Sequence, residues 1–280
     1  VFPRLVATEH FAPFQVEPCS SGNGSLDAML GGGPLRGTST LITGAPGTGK
    51  TTLALQFAFA AAERGERAVV YQCEERRRTL IARTSKLGMD LAPHLASTKM
   101  VIRQVDPVEL SPGEFAAMVR DHVEGPDPAR IVVIDSLNSY FLAMPGEKQL
   151  LLHKHELLAY MNQQGVTVIL INQQQGVLGP MQQALNVSSL ADVVILLRYF
   201  EAAGHIRKAI SILKNRGGRH ETTIREFQAG PAGVEVGRVL ADFQGVLTGT
   251  PVFKGELGHL LGSSPLEPAD GDKRARPDPD

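Results

Sequence analysis

Short apolar runs alternate with longer amphipathic ones over most of this chain. "TSTLIT", "RAVVYQ", "KMVIRQ", "RIVVID" and "VTVILIN" have the length and content of strands buried on both faces. Between them, "GKTTLALQFAFAAAER", "RRRTLIARTSKLG", "PGEFAAMVRDHVEG" and "EKQLLLHKHELLAYMNQQ" read as helices. That alternation predicts an α/β domain with a largely parallel central sheet. After Ala191 the pattern changes. "DVVILLRYF", "IRKAISILKN" and "TTIREFQA" succeed one another with turn residues between them, and predict antiparallel strands extending the same sheet. No internal repeat recurs at solenoid spacing.

The two ends differ from this core. "VFPRLV" reads as the end of a strand entering a linker, so residues 1–18 are expected to be an interdomain linker or the remnant of a preceding domain. The chain begins at Val1 without a Met, which fits a processed natural start or, the favoured expectation, an excised fragment. At the other end, residues 252–280 are read as a tail. From about Ser263 it is rich in Pro, Asp and Gly, and is expected to be disordered.

Charge narrows the partners. The 28 basic residues nearly balance the 29 acidic ones, so the chain has no broad cationic face for nucleic acid. No apolar run approaches the roughly 20 residues of a membrane span, and the cytoplasm is the expected location. The two cysteines, Cys19 and Cys73, are too few for a disulfide framework or a zinc site, and both are expected to be reduced.

The strongest chemical signal is "GAPGTGKTT", which fits a phosphate loop over Gly44, Ala45, Pro46, Gly47, Thr48, Gly49, Lys50, Thr51 and Thr52. Glycines let successive N–H groups close around phosphates, and the adjoining helix adds its positive end. Lys50 supplies a point charge to the β and γ phosphates, and Thr51 a hydroxyl for Mg²⁺. A strand-type run before the loop and a helix after it support the match.

Asp135 ends the buried run "RIVVID", where ligands of such sheets gather. It can hold Mg²⁺, or it can simply cap the end of its strand. Glu74 and Glu75 come directly after "RAVVYQC". They can serve as metal ligand and general base, or as the acidic first turn of a helix. Lys214 and Arg216, two apart in "LKNRGG", would share one strand face. They suit either a neighbouring subunit's γ-phosphate or the guarding of a sheet edge. Ser188 and Ser189 mark a strand entrance, or accept a phosphoryl group.

Taken in order, these motifs resemble the KaiC family of RecA-like ATPases. The resemblance runs from "SSGNGSLDAMLGGGPLRGTSTLITGAPGTGKTT" through "YQCEE", "SKLGMDL", "IVVIDSLNS" and "NVSSLADVVILLRYFE" to "ILKNRGGRHETTIREF", so residues 19–251 are read as one such domain. This domain looks like the second, autokinase domain of a tandem protein. The resemblance implies a RecA-like P-loop fold, ATP and Mg²⁺ as ligands, and a homo-oligomer, expected to be a hexameric ring. It also implies a preceding KaiC-like domain in the parent chain and unidentified regulatory proteins.

By the same resemblance, Ser188 and Ser189 are the phosphoacceptors and Glu74 lies near the metal with Thr51 and Asp135. Glu75 is then the general base, and Lys214 and Arg216 act across a subunit interface. Both acceptors here are Ser, where the best-known clock proteins have Ser followed by Thr. The expected activity is Mg·ATP-dependent serine autokinase with ATPase and reverse transfer to ADP. The rivals are an ATP-gated scaffold without phosphotransfer and a DNA-dependent ATPase. "QQQGVLGPMQQALNV", the candidate DNA loop, contains no Lys or Arg.

Overall fold

The computed structural model describes residues 12–106, 109–136, 147–173, 191–247 and 252–254. Ser188, Ser189 and the tail beyond 254 lie outside the described residues. In chain order the elements are α1 (Gly24–Met29), β1 (Ser39–Gly44), α2 (Lys50–Glu63), β2 (Arg67–Gln72), α3 (Arg77–Ser85) and α4 (Ala92–Ala96). Next come β3 (Met100–Gln104), α5 (Pro112–Val123), β4 (Ala129–Asp135), α6 (Glu147–Gln163) and β5 (Thr167–Gln173). The chain then runs through β6 (Val193–Ala202), β7 (His205–Asn215), β8 (Arg225–Gly230) and β9 (Gly233–Val239). β10 (Phe243–Gln244) and β11 (Val252–Phe253) pair separately.

Nine strands form one sheet in the order β3-β2-β4-β5-β1-β6-β7-β8-β9. From β3 to β6 every pairing is parallel; from β6 to β9 every pairing is antiparallel. The run "DVVILLRYF", expected to open the antiparallel extension, is instead parallel to β1, with Thr40 beside Val193 and Gly44 beside Leu197. Antiparallel pairing begins one strand later. Its reach is longer than expected because β9 adds a fourth late strand after the turn at Pro231.

Alternation along the strands builds two cores, one on each face of the sheet. Ile42, Val70, Val133, Ile171 and Ile195 pack with Leu53, Phe57 and Ala58 of α2. Leu41, Val69, Val132, Leu170 and Val194 pack with Phe115 and Val119 of α5 and Tyr160 of α6. The several alanines of α2 have small side chains that let it lie close against the sheet. α5 begins where its sequence says it should: Ser111 and Glu114 form a reciprocal capping box, with Pro112 in the first turn.

Among the described residues no helix is long and apolar enough to cross a membrane. Cys19 is buried, and Cys73 lies partly exposed just past β2. Burial is the main cause that pushes the Cys73 thiol up to about 12.

Candidate functional site

The parallel strands β1, β2, β4 and β5 end at one edge of the sheet, and the chemistry-bearing residues collect there. β1 runs to Gly44, the loop turns through Ala45–Gly49, and Lys50 opens α2. Two glycines are required by geometry. Gly47 has φ +76°, and a Cβ there would lie 2.6 Å from Tyr199 Oη. Gly49 has φ +107°, and its Cβ would lie 2.9 Å from the Phe227 ring.

The loop is held from inside and from the sheet. Thr48 Oγ1 and Lys50 Nζ each donate to the Ala45 carbonyl at 2.8 Å, and Tyr199 Oη donates to the Pro46 carbonyl at 3.2 Å. No side chain caps α2, so its first-turn N–H groups remain available to an anion. Burial draws the Lys50 ammonium below its ordinary value, against the opposing charges of Asp135 and Glu74.

Asp135 is 4% exposed and accepts a 2.7 Å hydrogen bond from Thr51 Oγ1. Burial is the main cause that raises its carboxyl above the usual carboxylate range. The charge of Glu74 adds to this, while Thr51 and Lys50 oppose it. Next in the chain, Ser136 Oγ donates to Glu74 Oε1 at 2.6 Å. Gln72, oriented with its carboxamide nitrogen toward Asp135 Oδ2 at 3.3 Å, accepts from the Glu75 N–H at 3.1 Å.

Glu75 itself is gripped from α3. Arg83 Nε and Nη2 reach its two oxygens at 3.2 and 2.8 Å, and Nη1 donates to Thr52 Oγ1 at 2.9 Å. Glu74 and Glu75 are thus adjacent in sequence but differently engaged: one faces the Asp135–Thr51 pair, the other α3.

These residues suit a magnesium ion. The donors are hard oxygens: the Thr51 hydroxyl, the Asp135 carboxylate and the nearby Glu74. Mg²⁺ takes few protein ligands and completes its shell with water and phosphate oxygens. A buried acid crowded by a second carboxylate is an arrangement that a cation relieves.

Lys214 and Arg216 are elsewhere. Lys214 pairs with Val194, which lies beside Leu41, three residues before Gly44 and so about 10 Å back along the sheet. Its ammonium donates to the Ala191 carbonyl at 2.5 Å, and burial, then Arg216, lowers its affinity for a proton. Arg216, just past β7 and 60% exposed, places its guanidinium 3.8 Å from Asp192 Oδ1. The two cations therefore converge on Ala191–Asp192, toward the pole opposite their own phosphate loop. A different cation, Lys208, stands in register with Tyr199 at the loop end.

Among the contributors not singled out from sequence are Arg83, Ser136, Tyr199 and Phe227. Ser136 carried the plainest signal, as the residue directly after Asp135. The other three depend on pairings between segments distant in the chain.

A family model described as "ATPase: KaiC" matches residues 19–240. The chain is 29% identical over 248 residues to "Circadian clock protein KaiC3" of a Synechocystis species, covering 87% of this chain and 48% of that protein. It is 29% identical over 250 residues to "Circadian clock oscillator protein KaiC" of Synechococcus elongatus, covering 86% and 47%. It is 32% identical over 237 residues to "Circadian clock protein KaiC2" of Synechocystis, covering 84% and 41%. The chain spans about half the length of the curated relatives it matches.

Proposed function

Since the chain belongs to the KaiC ATPase family, we propose that it is a Mg·ATP-dependent serine autokinase, with accompanying ATPase activity, that works in a ring. ATP lies along the phosphate loop, with Lys50 and the first-turn amides of α2 on its phosphates. Thr51 and Asp135, with Glu74 beside them, hold Mg²⁺, which neutralises charge on the β and γ phosphates when bound. The Oγ of Ser188 or Ser189 attacks the γ-phosphorus, its proton passes to Glu75, and ADP leaves. Serine gains the phosphoryl group and the P–O bond to ADP breaks, so charge and atoms balance.

One observation carries this reading beyond nucleotide binding. Lys214 and Arg216 gather at the pole of the sheet away from their own phosphate loop. Cations so placed are of little use to the nucleotide of the same chain, and are well placed for one held by a neighbour. The remoteness itself supports assembly, with Arg216 as an arginine finger. The cytoplasm fits this activity, since that is where ATP is plentiful.

The direct test is phosphopeptide mass spectrometry before and after incubation with Mg·ATP, with Glu75→Gln alongside. Phosphate on Ser188 or Ser189, diminished in the variant, supports the autokinase. Unmodified serines in a protein that binds ATP and assembles would reject it, leaving an ATPase or a nucleotide-gated scaffold. Stimulation of hydrolysis by single-stranded DNA would favour the DNA-dependent rival.

A further inference from the structure

Arg83 sits near the end of α3, and its three terminal nitrogens hold two separate segments. Nε and Nη2 take the two oxygens of Glu75, while Nη1 donates to Thr52 in the first turn of α2. The neighbouring Thr51 donates to Asp135, and Ser136 after it donates to Glu74. Adjacent threonines of α2 are thus tied, by separate routes, to adjacent glutamates at the end of β2. The two routes form a circuit around the nucleotide edge of the sheet.

Both partners are partly exposed, with side chains 34% and 24% accessible, so solvent screens what the pair contributes to folding. Its geometry is specific. A guanidinium fork meeting both oxygens fixes the plane of a carboxylate, which a single ammonium cannot do. The third bond then references that plane to α2, and so to the phosphate loop. A proton acceptor displaced by even an ångström loses much of its effect.

We propose that Arg83 is a positioning residue: anchored on Thr52, it holds the Glu75 carboxylate in fixed relation to the phosphate loop and acts on phosphoryl transfer through Glu75. This rests on the reading of Glu75 as the group that receives the proton.

The test is a double-mutant cycle on the full chain, following Mg·ATP hydrolysis and phosphoserine formation separately. Arg83→Gln is expected to lower kcat about tenfold while KM for ATP stays within about twofold. Arg83→Lys, which keeps the charge but not the fork, should recover little. Thr52→Val, which removes the anchoring hydroxyl, should reproduce part of the loss. In the Glu75→Gln background, Arg83→Gln should cost nothing further.

Three results would overturn the role: unchanged kcat in Arg83→Gln, losses that multiply in the double variant, or full recovery with Lys. Hydrolysis that shows the expected cycle without any phosphoserine would remove the autokinase and leave the positioning role standing. No turnover of either kind, in wild type that binds Mg·ATP, would remove both.

Discussion

Thr51 and Asp135 are 84 positions apart and joined by a 2.7 Å hydrogen bond at the head of the nucleotide edge. The bond places a buried carboxylate within reach of the hydroxyl that a phosphate loop offers to magnesium. Without a cation, that carboxylate is a burden on the fold. Its proton affinity is raised, chiefly by burial, so its contribution to stability is fully present below the ordinary aspartate value near 3.8. That contribution is lost as pH rises through the elevated native value. At neutral pH, Asp135→Asn should therefore raise the thermal midpoint of the nucleotide-free protein by a few degrees. It should also weaken Mg²⁺-dependent ATP binding at least tenfold. Calorimetric melts with and without Mg·ATP check both halves. A lower midpoint for the free variant would mean that the charge is not a net cost.

The displaced cations make a prediction about mixing. Under the proposed assembly, Lys50→Ala removes a group from its own chain's site, whereas Arg216→Ala removes one from a neighbour's. Each variant alone should lose at least tenfold in turnover. Mixed in equal amounts, they should regain a measurable fraction, because some interfaces then combine an intact Lys50 with an intact Arg216. Mixtures no more active than the separate variants would place Arg216 in service to its own chain.

Gly47 tests the fit of the phosphate loop to the sheet beneath it. At φ +76° a Cβ costs about 1–2 kcal/mol, and it would press on Tyr199 Oη. Gly47→Ala should lower the midpoint by several degrees and weaken ATP binding at least tenfold. Tyr199→Phe keeps the ring and loses only the bond to the Pro46 carbonyl. It should cost about 1 kcal/mol or less, as read by denaturant unfolding.

His122 predicts acid sensitivity remote from the site. It is buried in the second core, with Nδ1 3.0 Å from Tyr71 Oη and 2.9 Å from the Met118 carbonyl. Burial chiefly, with the charges of Arg67 and Arg103, lowers its proton affinity below the ordinary histidine value, against the Met118 carbonyl. Its contribution is therefore present above about pH 6.5 and lost as pH falls through the depressed native value. His122→Gln should flatten the fall in midpoint between pH 7 and pH 5. Parallel curves for variant and wild type would exclude His122 as a source of that slope.

What the sequence made legible was the part of the fold that depends on local pattern. β1, β2, β4 and β5 are runs of buried apolar residues, and the phosphate loop is a contiguous motif. Strand direction was not legible: Val193 to Ala202 reads the same whether β6 is parallel to β1 or opposed to it. β9 was missed because two of the seven residues in "GVEVGRV" are glycines, which read as turn rather than strand. At the site, Lys50, Thr51 and Asp135 announced themselves by motif and position. Arg83 did not, because in "RRRTLIARTSK" it is one basic residue among several. Only the fold, which sets Arg83 against Thr52 of α2, distinguishes it from Arg76, Arg77 and Arg78, which stay exposed.

β1 runs from one pole of the sheet to the other in six residues. Its upper end becomes the phosphate loop. At its lower end, the Ser39 N–H donates to Asp192 Oδ2 and the Asp192 N–H to the Ser39 carbonyl, while Asp192 faces Arg216. Six extended residues, paired on both sides, behave as a stiff rod about 20 Å long. Axial displacement of the loop must therefore slide the rod past β5 and β6 or strain its grip on Asp192. In mechanical terms the nucleotide loop and the cation pair are the two ends of one piston, and its stroke is limited by the sheet that encloses it.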